Sequence, residues 1–130
     1  MRRGVDVRVI VPGEFNDVPV ARQASRWHYE LLLRRGIRIF EYLPAMMHAK
    51  TMVVDGAWTT IGSSNFDDRS FRLNDEVNVN IYDDAIAAQM ETMFHADLAR
   101  CEEVTLSKWF RRGWLEKMKE KMAGVFKPQL

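Results

Sequence analysis

The chain has 130 residues, 47% of them hydrophobic and 28% charged, a composition that fits one globular domain or part of one. Its 19 basic residues stand against 18 acidic ones, and a formal net charge of +1 does not nominate nucleic acid as a partner through bulk electrostatics. One cysteine, Cys101, excludes an internal disulfide, and no apolar run is long enough to be a membrane span.

In chain order, "VDVRVIV" over residues 5–11 alternates and is rich in β-branched residues, so it reads as a strand that Pro12 and Gly13 end. The sequence enters this strand within four residues, as though an element before it had been cut away. From Val18 to Arg35, Val20, Ala24, Trp27 and Leu31 recur at helical spacing, with Gly36 placed to cap the helix. "IRIFEY" over 37–42 is a second strand, and strand–helix–strand predicts a crossover onto a parallel sheet. Two further strands flank Asp55-Gly56, a favoured two-residue hairpin turn. "EVNVNIY" over 76–82 alternates, with Val77, Val79 and Ile81 on one face and Glu76, Asn78 and Asn80 on the other. A helix is expected over 84–101, with Ile86, Met90, Met93, Phe94 and Leu98 as its stripe, Asp83 or Asp84 as its cap, and Cys101 packed near its end. From Thr105 the chain reads as one or two more helices. Apolar residues at 110, 114, 115, 118, 122, 125 and 126 form a stripe among Arg111, Arg112, Lys117, Lys119 and Lys121. Such a basic amphipathic tail either packs on the domain or lies on an anionic membrane surface.

The hairpin carries the chemistry. A two-residue turn pairs Val54 with Ala57 and, continuing outward, His48 with Ser63. A bulge that shifts the register by one would bring Ser64 opposite His48 instead. In either case His48 and Lys50 share a face, and the open end of the ribbon gathers an imidazole, an ammonium, the hydroxyls of Ser63 and Ser64 and the Asn65 amide. These groups suit a phosphate. Lysine supplies a point charge, and Ser and Asn donate to non-bridging oxygens. Histidine is the one group among them able to attack phosphorus or pass a proton near neutral pH. An imidazole so used needs its second ring nitrogen held by an acceptor, and Glu76 on the polar face of the next strand is the candidate. Each residue alone has a plainer explanation: a surface histidine, a solvated lysine, an ordinary turn, an exposed strand glutamate. Their joint spacing does not.

That spacing, His48-x-Lys50, four residues to Asp55, then six to Gly62-Ser63-x-Asn65, resembles the HKD motif of the phospholipase D superfamily. "RRGVDVRVIVPG", "FEYLPAMMHAKTMVVDG", "GSSNFDDRSFRLNDEVNV" and the Trp-containing basic tail are similar to the C-terminal half of bacterial cardiolipin synthases and related phospholipase D-like proteins. The resemblance implies a phosphatidyltransferase or phosphodiesterase. One motif histidine forms a phosphohistidine intermediate, and the other protonates the leaving alcohol. It implies catalytic roles for the motif residues His48, Lys50 and Asp55 and for Glu76, which orients histidine, and phosphate contacts from Lys50, Ser63 and Asn65. Asp55, at the far end of the ribbon from His48, is assigned a structural part in the turn. No cofactor or metal is implied, and His28 and His95 show no ligand spacing with His48.

The family's site needs two such motifs, and this sequence holds one. The second is expected from the rest of a longer chain, of which this is the second half, or from a second copy in a homodimer. In a second half His48 would be the proton donor rather than the nucleophile. The expected architecture is α/β, a mixed β-sheet flanked by helices in a phospholipase D-like half-domain over residues 1–104, followed by the basic tail over 105–130. Expected partners are a phospholipid or another phosphodiester and, through the tail, an anionic membrane. Expected locations are the cytoplasm or the inner face of a bacterial membrane. A nuclease or other phosphodiesterase of the same chemistry, or an inert half, are the alternatives. A nuclease should carry a basic stripe.

Overall fold

The computed structural model describes residues 4–15, 25–65, 72–113 and 118. The class is α/β, as expected, but the strands form two three-stranded sheets rather than one. The chain divides into two compact units, Met1–Met47 with Arg100–Leu130, and His48–Ala99.

In the first unit β1 (Arg8–Pro12) pairs in parallel with β2 (Arg38–Tyr42), as the strand–helix–strand pattern predicts. The expected helix over 18–35 is described as α1, Tyr29–Arg34, and the residues 18–24 of that reading lie outside the described ones. Gly36 follows it at φ 82° and donates to the Leu33 carbonyl, the cap its position suggested. The stripe is a different one, however. Trp27 and Leu31 are exposed, whereas Tyr29 is buried with Ile39 and Trp109, and Leu32 and Leu33 pack beside them.

Trp109 comes from α3 (Leu106–Arg111), capped by Thr105 Oγ1, which accepts from the Lys108 N–H. Its ring lies 5.3 Å from that of Tyr29. The buried residue of this segment is therefore Trp109, while Phe110, the first position of the expected tail stripe, is exposed. Of that stripe's other members only Met118 is among the described residues, and it is exposed. Arg26 stacks at 5.2 Å over Trp109 and pairs with Glu41 of β2, both side chains being largely shielded from water.

The strand that sequence reading missed is β6 (Cys101–Val104), antiparallel to β2. "CEEV" carries two glutamates in four residues and directly follows a helix, so periodicity ran the helix on through it. Pairing with β2 and charge partners make it a strand instead. Arg38 forks onto Glu103 at 2.9 and 3.2 Å, and Lys108 reaches Glu102 at 2.8 Å. The Arg38 hydrogen bonds hold the Glu103 carboxyl below its usual range. Whatever that pair adds is present at neutral pH and fades as acid protonates Glu103. Cys101 thus opens a strand rather than closing a helix.

In the second unit β3 (Thr51–Val54), β4 (Trp58–Gly62) and β5 (Asn78–Tyr82) form an antiparallel sheet in that order. The helix α2 (Asp84–Leu98) packs against β3 and β4. Asp83 is its cap, with Oδ1 accepting the Ile86 N–H at 2.8 Å. The buried stripe runs through Ala87 with Met90, Phe94 and Leu98 half-buried, while Ile86 and Met93 face solvent, so two of the five expected stripe positions fall outside it. Thr59 of β4 is fully buried, and its Oγ1 finds no hydrogen-bond partner among the described residues.

Two stability measurements test this packing. Thr59→Val removes an unsatisfied buried hydroxyl at constant shape and should raise stability by about 1 kcal/mol in denaturant unfolding; a loss would mean the hydroxyl is satisfied. Glu41→Gln takes the carboxylate from the shielded Arg26 and should cost about 2–3 kcal/mol, somewhat under the range for fully buried pairs because both side chains keep some solvent.

Candidate functional site

The β3–β4 turn decides which residues meet. Asp55 and Gly56 both adopt positive φ, 51° and 63°, and the Ala57 N–H donates to the Val54 carbonyl at 3.1 Å, as a type I′ turn requires. Yet the ladder pairs Val54 with Trp58, not Ala57. Ala57 is left over as a bulge, and every pair beyond it shifts by one. The shifted register was one of the two left open by the sequence. It continues past the strand end, where the Gly62 N–H donates to the Lys50 carbonyl at 3.1 Å. His48 and Ser64 lie two positions farther out, beyond the last paired residues of the ribbon.

β5 extends the same face. Gly62 pairs with Asn78 and Thr60 with Asn80, so Lys50, Gly62 and Asn78 share one side of the sheet at one end, and His48, Ser64 and Glu76 follow in the segments that leave that end. All lie within one compact unit. Lys50 Nζ donates to the His48 carbonyl at 2.9 Å, which holds the ammonium against the turn of chain that carries the imidazole. The His48 side chain is exposed. Glu76 is held from two sides: Ser63 Oγ donates to Oε2 at 2.5 Å, and Asn74 Nδ2 donates to Oε1 at 3.4 Å. Ser63 is itself fixed, since its Oγ accepts from the Val77 N–H at 3.0 Å and its N–H donates to the Val77 carbonyl at 2.9 Å.

The sequence-derived residues therefore divide. His48, Lys50, Ser63 and Glu76 come together at the open end of the ribbon. Ser63 meets the Glu76 carboxylate rather than standing opposite His48. The Glu76 carboxylate accepts from Ser63 and Asn74, and no hydrogen bond joins it to the His48 ring. Asn65 sits at the same end, exposed, with no hydrogen bond among the described residues to His48 or Lys50. Asp55 occupies the turn at the other end, seven residues or about 23 Å of extended chain from His48, where its backbone shapes the hairpin.

One residue was not singled out from sequence as a candidate, Asn78, which holds Ser64. Asn78 Nδ2 donates to Ser64 Oγ at 2.6 Å, and the Ser64 N–H donates back to Oδ1 at 3.5 Å. The signal was present in the alternation that put Asn78 on the face of Glu76. Gly62 makes the pair possible: a Cβ there would stand 1.9 Å from Asn78 Oδ1 and 2.4 Å from the Val77 carbonyl oxygen.

Comparison with known proteins gives a consistent result. The family described as cardiolipin synthase, PLD-like domain, matches residues 1–98. The probable cardiolipin synthase YwiE of Bacillus subtilis (strain 168) is 38% identical over 124 residues, which cover 95% of this chain and 25% of that protein. Cardiolipin synthase A of Proteus mirabilis (strain HI4320) is 35% identical over 98% of this chain and 26% of its own length. The chain thus spans about a quarter of the length of these curated relatives. Among solved structures, the phospholipase D family member Nuc from Salmonella typhimurium shares the fold with a TM-score of 0.65 at 20% identity, over 80% of this chain and 67% of that one.

Gly62→Ala tests the local geometry. Its methyl meets backbone as well as the Asn78 amide, so rotation of one side chain cannot relieve it. The variant should lose about 1–3 kcal/mol and show separated amide shifts at Ser63, Val77 and Asn78 in NMR spectra. Unchanged shifts would mean that the two strands do not approach this closely.

Proposed function

The chain belongs to the family of cardiolipin synthase, phospholipase D-like domains, and we propose that it supplies one His-x-Lys half of a phosphatidyltransferase site. The observation that carries this reading is the gathering of His48, Lys50, the Ser63–Glu76 pair and the Ser64–Asn78 pair at one end of a single sheet. Lys50 and Asn65 take the non-bridging oxygens of a phosphodiester, supplying the positive charge that other phosphoryl-transfer sites draw from cations. Glu76, steadied by Ser63, takes up the His48 ring when the site is complete. This fixes its tautomer and stabilises the imidazolium.

A second His-x-Lys motif, from the remainder of a longer protein or from a second copy, stands across the phosphorus. Its imidazole attacks, a P–N bond forms, and the P–O bond to the leaving alcohol breaks. His48 gives its proton to that oxygen. The acceptor alcohol then passes a proton to neutral His48 and attacks phosphorus, breaking the P–N bond, so that both histidines end as they began. The substrate is a phospholipid, and the work is done peripherally at the inner face of a bacterial membrane. Among the described residues no helix is long and apolar enough to cross one. The basic residues of the tail would favour an anionic surface.

The test separates the two histidine roles in protein that presents both motifs. His48→Ala should lower turnover of phosphatidylglycerol vesicles by about 100-fold or more. It should spare the first burst on a p-nitrophenyl phosphodiester, whose leaving group needs no proton. Label from a radioactive substrate, quenched at alkaline pH where phosphoramidates survive, should sit on the opposite motif. Label on His48, or loss of the burst, would make His48 the nucleophile. Full lipid turnover by His48→Ala would remove the site from catalysis.

A further inference from the structure

We propose that Ser64, polarised by Asn78, is a phosphoryl-oxygen-binding residue of this site; the proposal rests on the phosphodiester reading above and adds a donor to it. The argument is a count of protons. A serine hydroxyl has one proton to give and two lone pairs to fill. The Ser64 N–H donates to Asn78 Oδ1, so the other end of that amide is the NH2 group, and it is this group that lies 2.6 Å from Ser64 Oγ. The amide cannot be read the other way round without setting two donors against each other.

Ser64 Oγ is therefore the acceptor in its contact with Asn78, and its own proton must point elsewhere. Among the described residues no acceptor takes it. Ser64 is tied to Asn78, which pairs with Gly62, and the Gly62 N–H bonds the Lys50 carbonyl, so the hydroxyl stands at the end of the ribbon that carries Lys50 and His48. That is where the reading above sets a phosphate, and a half-buried hydroxyl with its proton free is a ready donor to an anionic oxygen. Accepting from the amide also makes the hydroxyl a stronger donor, as chained hydrogen bonds do.

Ser63 differs in every respect. Its proton is committed to the Glu76 carboxylate and its lone pair to the Val77 N–H. The neighbouring serines thus divide the work: Ser63 positions the carboxylate, and Ser64 faces the substrate. Asn78 is a positioning residue that acts through Ser64, and Gly62 leaves the space in which its amide lies.

The experiment is a titration of the full chain with inorganic phosphate, followed through the ring resonances of His48 by NMR, with amide dispersion and thermal melting as checks of folding. The wild type should show saturable shifts at His48. Ser64→Ala should weaken phosphate about 10-fold and Ser64→Thr, which keeps the hydroxyl, less than 2-fold, in line with one hydrogen bond to a charged group. Asn78→Asp reverses the key bond, because a carboxylate accepts the Ser64 proton instead of feeding its lone pair. It should weaken phosphate strongly in the wild-type background. In the Ser64→Ala background it should do so only by the smaller factor that charge repulsion brings. Equal losses in the two backgrounds, or phosphate affinity unaffected by Ser64→Ala, would overturn the role of Ser64 and leave the phosphodiester reading standing. Absence of any His48 shift in the wild type would overturn both.

Discussion

One extra residue in a tight turn fixes the chemistry of this domain. Side chains alternate along a strand, so a one-residue change in pairing moves a whole strand's functional groups to the opposite face of the sheet. β4 and β5 are paired so that Gly62 faces Asn78, and Ser63 bonds Val77. Had Val54 paired with Ala57, Met52 and Lys50 would share a face with Thr59, Ile61, Val79 and Ile81. The Ala57 bulge pairs Val54 with Trp58 instead and puts Lys50 on the face of Gly62 and Asn78. Asp55 earns its place in the signature at this point. It stands at φ 51° in a turn whose geometry sets the register about 23 Å away.

This explains what the sequence could and could not reveal. The hairpin was legible because Asp55-Gly56 lies between apolar runs, and the members of the site because their spacing is long and rigid. Which serine faces His48 was not, since the register depends on whether the residue after the turn joins the ladder, and alanine at 57 fits either outcome. The same strand alternation that placed Glu76 and Asn78 together was visible, but its consequence required the register. Elsewhere the misses share a cause. Trp27 and Leu31 look like core by period, yet the buried positions are Tyr29 and Trp109, distant in sequence, whose rings pack on each other. β6 hides its strand behind two glutamates that find Arg38 and Lys108 only in three dimensions. Local pattern finds elements; long-range partners decide which face is used and which charges are tolerated.

The half-site also has a physical logic of its own. Phosphoryl transfer needs groups on both sides of phosphorus, one to attack and one to protonate the departing oxygen. A single three-stranded sheet presents its polar end in one direction and so supplies one side. The described surface of this unit agrees with a piece that works against something else. Val77 and Tyr82 are 73% and 83% exposed, and His48 and Asn65 are open to solvent. The chain covers about a quarter of its curated relatives, so the remainder of such a protein has ample length to supply the opposite side.

Within the half that is present, the hydrogen bonds are sorted by direction. Three donors are engaged within the unit: Ser63 with Glu76, Asn78 with Ser64, and the Val77 N–H with Ser63. Among the described residues the Lys50 ammonium has only a backbone carbonyl as partner and three protons to give, and on the reading proposed above it would meet a ligand together with the Ser64 hydroxyl, the Asn65 amide and the His48 ring. These four can meet an anion without first breaking an internal carboxylate pair. A site built the other way, with Lys50 locked onto Glu76, would have to release that pair before each substrate could bind. Glu76 accepts from Ser63 and from Asn74 two residues before it, while the Lys50 ammonium bonds a backbone carbonyl and is not tied to that carboxylate.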